Sequence, residues 1–103
     1  MSTVSIDKTN FSKEVLASEQ PVLIDFWAPW CGPCRMLSPV VEQIAKEKAG
    51  TIKVGKVNID EEPELAAKFG IMSIPTLVYL KDGKPVATSV GVKPKHMLEE
   101  MLQ

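Results

Sequence analysis

The run Val22-Leu23-Ile24-Asp25-Phe26-Trp27 is apolar on both of the faces that a strand presents, with a single carboxylate in its middle. Such a strand is stable only where both faces are covered, which makes it the centre of a layered sheet rather than the rim of an open one. Pro21 opens it, and it runs out into Trp30-Cys31-Gly32-Pro33-Cys34, which holds both of the chain's cysteines. A helical pattern comes next. Met36, Leu37, Val40, Val41, Ile44 and Ala45 make one apolar stripe, so the spacing predicts a helix from about Cys34 to Lys48. Pro39 is expected to kink it, and Gly50 to end it.

Short periodic segments separated by polar, Gly and Pro punctuation fill the rest of the chain. Thr3 to Ile6 reads as a strand. Thr9 or Asn10 is expected to cap a helix over Phe11 to Ala17, with Phe11, Val15 and Leu16 on its apolar face. Ile52 to Ile59 reads as a buried strand, Pro63 to Phe69 as a short helix stopped by Gly70, and Thr76 to Leu80 as a strand. Lys81-Asp82-Gly83-Lys84 is a hairpin turn into the strand Val86 to Val90. A last helix spans Pro94 to Leu102 with Met97, Leu98, Met101 and Leu102 inward. The order βαβαβαββα predicts the α/β class, with parallel pairing and a right-handed crossover early and an antiparallel hairpin late. The expected architecture is a mixed central β-sheet flanked by helices on both faces, in one domain over residues 1–103.

Charge and cysteine usage narrow the function. The 103 residues carry 12 Lys plus Arg against 13 Asp plus Glu, a net charge of −1 that gives no reason to expect a nucleic-acid partner. No apolar run approaches the roughly 20 residues needed to span a bilayer, so no membrane partner is expected. The start, Met1 to Asp7, lacks a cationic segment followed by an apolar stretch, so a cytoplasmic protein without a secretory leader is expected. Two cysteines are too few to staple a secreted scaffold, and a bridge across two residues constrains little chain. Reactivity explains them better than stability does.

Thiols at i and i+3 in the first turn of a helix form a reversible dithiol. Cys31 falls where unpaired backbone N–H groups and the positive end of the helix dipole favour a thiolate. It is therefore assigned as the nucleophile, and Cys34, expected to lie further inside, as the resolving thiol that releases a mixed disulfide. Metal binding is the rival use of a CxxC pair. Zinc wants four Cys or His ligands, and the only further candidate is His96, far along the chain, which is expected to be solvated. An iron–sulfur cluster would need four thiolates. No cofactor or metal is expected.

Asp25 shares a face with Leu23 and Trp27 inside the apolar strand, and Lys56 continues the face of Ile52 and Val54 in another. A buried carboxylate is costly unless it is paired or protonated. If the two strands are neighbours, Asp25 and Lys56 could meet directly or through water. One reading is a structural ion pair. The other, preferred because perturbed groups cluster at reactive sites, is that Asp25 takes the proton of Cys34 with Lys56 modulating it. Pro75 precedes a strand, and by itself an Ile–Pro bond is expected to be trans. Trp27 reads as core, and Trp30 as a cover for the exposed sulfur.

Phe26-Trp27-Ala28-Pro29-Trp30-Cys31-Gly32-Pro33-Cys34 resembles the active-site signature of the thioredoxin family. Lys56-Val57-Asn58-Ile59-Asp60, Gly70-Ile71, Ile74-Pro75-Thr76-Leu77 and Val90-Gly91 resemble it in order and spacing, across essentially the whole chain. The resemblance implies the thioredoxin fold, a cis bond before Pro75 beside the dithiol, the roles argued for Cys31 and Cys34, and a buried Asp25 with Lys56 near it. It implies a substrate groove at Trp30, Gly32, Pro33, Ile59, Ile74, Pro75, Val90, Gly91 and Val92. Arg35, Ser73 and Val92 depart mildly from the family's usual residues, the last two in ways that bear on partner preference.

Oxidising and isomerising relatives tend to carry His between the cysteines, where its charge favours the thiolate. Gly32 and Pro33 supply no charge, so the dithiol is expected to be reducing. The resulting reading is a monomeric protein-disulfide reductase serving disulfide-containing substrate proteins and recharged by thioredoxin reductase. Two alternatives stay open. One is a specialised oxidant or isomerase, which a reduction potential would separate. The other is a binding module whose thiols are idle, which would keep its biological activity without its cysteines.

Overall fold

In the computed structural model, which describes residues 2–103, the apolar run forms strand β2 (Val22–Trp27) at the centre of a five-stranded sheet. On one side it pairs in parallel with β3 (Lys53–Asn58), which in turn pairs in parallel with β1 (Thr3–Ser5). On the other it pairs antiparallel with β4 (Thr76–Lys81), and β4 with β5 (Lys84–Val90). The strand order is β1-β3-β2-β4-β5. Three helices complete the chain: α1 (Gly32–Glu47), α2 (Pro63–Lys68) and α3 (Lys95–Met101). Asp82 and Gly83 both take the left-handed conformation, which makes the two-residue hairpin turn between β4 and β5.

Two cores lie on the two faces of the sheet. Leu23, Val54, Leu77 and Tyr79 meet Leu37, Val41, Ile44 and Ala45 of α1 and Leu98 and Leu102 at α3. Val22, Ile24, Phe26, Val57, Val78 and Leu80 meet Ile6, Phe11, Val15 and Leu65. Phe69 joins the second core, its ring centroid 5.4 Å from that of Phe26 and 5.9 Å from that of Phe11. The alternation along β2 therefore sends Asp25 to the α1 face, in register with Lys56 on β3 and Leu77 on β4.

The first helix differs from expectation. Residues Ser12–Leu16 form one wide π-type turn, closed by a bond from the Ala17 N–H to the Ser12 carbonyl at 2.8 Å. Neither Thr9 nor Asn10 caps it from its side chain. Instead the Asp7 carboxylate accepts from the backbone N–H groups of Thr9 and Asn10, and the Asn10 side-chain oxygen accepts from the Asp7 N–H. An Asx turn thus competed successfully for the role. Three apolar residues expected inside stand outside: Leu16, Met36 and Met97. In α1 the buried set is Cys34, Leu37, Val41, Ile44 and Ala45, so Met36 falls off the edge of the stripe. The helix runs on through Pro39.

The side chain of Ile6, just past β1, packs directly over Gly55 of β3. A Cβ at Gly55 would come 2.6 Å from Cγ1 of buried Ile6. Gly55→Ala is expected to cost about 1–3 kcal/mol of stability by overpacking, measured by urea unfolding. An unchanged midpoint would mean that Ile6 moves aside freely.

Candidate active site

β2 ends at Trp27, and four residues later Cys31 is the N-cap of α1. The intervening loop is tied down. The Cys31 N–H donates to the Ala28 carbonyl at 3.2 Å, and the Arg35 guanidinium reaches back to the Pro29 carbonyl at 2.9 Å. Gly32 and Pro33 occupy the first positions of the helix, where the missing N–H of proline costs nothing. Cys31 and Cys34 are joined as a disulfide, their Cα atoms 5.3 Å apart. The Cys31 Sγ accepts from the Cys34 N–H at 3.2 Å, the kind of helix-end donor that stabilises a thiolate. The two sulfur-bearing residues are buried almost equally, at 5% and 4% exposure, so depth does not tell them apart as the sequence suggested. Their positions on the helix do.

The bond between Ile74 and Pro75 is cis, and the Ile74 carbonyl lies 4.0 Å from the Cys31 Sγ. The Gly91 N–H donates to the Pro75 carbonyl at 2.8 Å, which brings the Val90–Val92 segment to the same loop. Trp30, Ile59 and Ile74 line one hollow of about 340 Å³ together with Ala66, Ile71, Met72 and Ser73. Val90 lines a smaller one of about 130 Å³ with Met72, Ser73 and Thr76 among others. Val92 is exposed. Trp30 stands out at 66% exposure, and its Nε1 donates to the Asp60 carboxylate at 3.0 and 3.2 Å, which tethers the indole.

Sequence reasoning missed Asp60 and Met72. Met72 is 95% exposed, in the turn between Gly70 and Pro75, where no periodic pattern buries it. The contact of Asp60 with Trp30 joins residues thirty apart and leaves no local signal. Ser38 was missed as well. It lies four residues after Cys34 on α1, a spacing that hints at a shared face. Among the described residues no group of three or more His, Cys, Asp or Glu could hold a metal ion, and His96 is exposed.

Asp25 is 1% exposed, and its Oδ1 has no hydrogen-bond partner. Burial raises its carboxyl from 3.8 to about 6, partly opposed by the charge of Lys56. The Lys56 Nζ does not bridge to it. It donates to the Ser38 Oγ at 3.1 Å and sits 5.3 Å from the centroid of the Trp27 ring.

The thioredoxin family model matches residues 2–103. The chain belongs to the thioredoxin family. It is 52% identical over 102 residues to the thioredoxin of Porphyra purpurea, covering 99% of this chain and 95% of that one. It is 53% identical over 98 residues to thioredoxin 1 of a Nostoc species, covering 95% and 92%, and 51% identical over 102 residues to the thioredoxin of Bacillus subtilis, covering 99% and 96%. The chain is a thiol–disulfide oxidoreductase, a protein-disulfide reductase of the thioredoxin kind, and Cys31 and Cys34 are its redox centre. Disulfide-bearing proteins and a thioredoxin reductase are the general partners that membership implies. No helix among the described residues is long and apolar enough to cross a membrane.

The raised carboxyl has a thermodynamic consequence. The folded chain binds a proton at Asp25 more tightly than the unfolded chain, so this group's contribution is complete below about pH 4 and is lost as pH rises through about 6. Above pH 6 the buried charge is a standing cost of up to about 3 kcal/mol. Asp25→Asn is expected to keep the fold, and to be more stable than the parent by about 1–3 kcal/mol at pH 7 but not at pH 4. Unfolding free energies at the two pH values check this. Loss of stability at pH 7 would point instead to a structural ion pair with Lys56.

Proposed function

We propose that the chain is a monomeric, cytoplasmic carrier of electrons from a thioredoxin reductase to protein disulfides, maintaining cellular thiols from a single domain over residues 1–103. The observation that carries the mechanism is the dithiol at the start of α1, set beside a sheet that holds an unpaired, buried Asp25. Both cysteines, Asp25 and the groove come from one chain, which supports action as a monomer. A reducing dithiol works where a reductant supply keeps thiols reduced, which supports the cytoplasm.

In the reduced protein the Cys31 thiolate attacks one sulfur of a substrate disulfide. The substrate S–S bond breaks, its other sulfur leaves as a thiolate that picks up a proton from water, and a mixed disulfide remains. Cys34 then gives its S–H proton to the Asp25 carboxylate and attacks the Cys31 Sγ. The Cys31–Cys34 disulfide forms, the second substrate sulfur departs, and two electrons have passed to the substrate. The reductase returns two electrons to close the cycle.

Lys56 modulates Asp25 through its charge. Trp30, Gly32, Pro33, Ile59, Ile74, Pro75, Val90, Gly91 and Val92 present the surface on which the substrate's extended backbone lies beside the sulfur. Gly32 and Pro33 offer the thiolate no positive charge, which supports the reducing direction.

Cys34→Ser is expected to accumulate the mixed disulfide with an exposed protein disulfide, while the parent turns it over with a small dithiol as reductant. Asp25→Asn is expected to leave the first attack intact and to slow release of the mixed disulfide at pH 7 on the order of 100-fold, the lower end of what general acid–base catalysis contributes. Single-turnover kinetics with a fluorescent disulfide substrate separates the two steps. Normal release from Asp25→Asn would retire the proton-acceptor role.

A further inference from the structure

Lys56 and Asp25 are register partners on adjacent parallel strands, with side chains on the same face of the sheet. A lysine stem is long enough to bring its ammonium onto a neighbouring carboxylate, and an ion pair would be the ordinary outcome. The ion pairs among the described residues lie elsewhere, at Lys53–Glu14 and at Lys95 with Glu47 and Glu99. The Lys56 ammonium is instead engaged by the Ser38 hydroxyl at 3.1 Å, with the Trp27 ring beside it, and the Asp25 Oδ1 is left bare. Serine is a mediocre helix former, and an interior helical serine normally turns to solvent or to its own backbone. Ser38 is half-buried, and its Oγ accepts a hydrogen bond from the Lys56 ammonium that extends to it from the sheet.

We propose that Ser38 is a positioning residue for the exchange reaction: its hydroxyl holds the Lys56 ammonium on the α1 side and so keeps the Asp25 carboxylate free of a direct ion pair. This rests on Asp25 being the proton acceptor. A carboxylate clamped by an ammonium is a weak base, whereas one that feels the ammonium only at a distance remains able to take a proton from Cys34 near neutral pH. From β4 the register partner is Leu77, with Tyr79 further along the same face, α1 brings Cys34 and Leu37 to this side of the sheet, and Leu98 of α3 and Leu102 just beyond it complete the core there. Asp7, Glu61 and Glu62 share with Lys56 the lining of a groove of about 640 Å³, and the charge of Lys56 opposes the effect of burial on Asp25.

The test reads the Asp25 carboxyl directly, by carbon NMR titration of the oxidised protein, in which the cysteines do not titrate. Ser38→Ala is expected to let Lys56 close on Asp25 and to drop its midpoint from about 6 to about 5 or lower. Combined with Lys56→Met, Ser38→Ala is expected to leave the midpoint where Lys56→Met alone puts it. A midpoint unchanged or raised by Ser38→Ala would overturn the proposal, as would an equal drop in both backgrounds. Because this readout involves no turnover, its outcome is independent of the release kinetics of Asp25→Asn: either can fail alone, and each failure names its own cause.

Discussion

β2 is hydrogen-bonded along both edges and covered on both faces, and the rest of the molecule is arranged around that fact. Strand β3 on one side and β4 on the other fix its register, and the two cores fix its tilt. A strand held so completely is a rigid mount for the loop at its end, and that loop delivers Cys31 to the head of α1. The same enclosure places a carboxylate in a dry site. The layers that make β2 stable also bury Asp25, so the raised carboxyl and the stability of the sheet draw on one burial.

The sequence was most readable where tertiary context agrees with local pattern. β2, apolar on both faces but for Asp25, could only be central, the Asp82-Gly83 pair could only be a tight hairpin turn, and α1 has a stripe long enough to set its inner face. The reading failed where the pattern was short. Phe11 to Ala17 contains too few turns to choose between helical windings, and the local hydrogen bonds of Asp7 and Asn10 took the capping positions. Met36 and Met97 stand at the margins of apolar stripes, where the width of the partner surface, invisible in one helix's sequence, decides which residue is covered.

The site divides in the same manner. The cysteines, Asp25 and Lys56 announced themselves because each breaks a local rule: thiols at a strand end, charges in apolar strands. The cis bond at Pro75 came from resemblance, since an Ile–Pro pair does not reveal its isomer. Asp60 under Trp30 breaks no local rule, and Ser38 inside α1 gives only the weak hint of its spacing from Cys34; the packing of α1 and of the loop after β3 against their neighbours gives both their partners.

The two outer strands have a meaning beyond the site. β1 is three residues long, and β5 carries Pro85, which has no N–H to offer, next to a register shift opposite Tyr79 and Leu80. Neither rim is a long, flat template on which a second molecule could extend the sheet. Trp30, Met72 and Val90 are exposed apolar side chains, and such side chains carry a standing risk of self-association. With both rims blunted, what the chain offers a second molecule is side chains, and it withholds the backbone, along which contacts could grow into filaments.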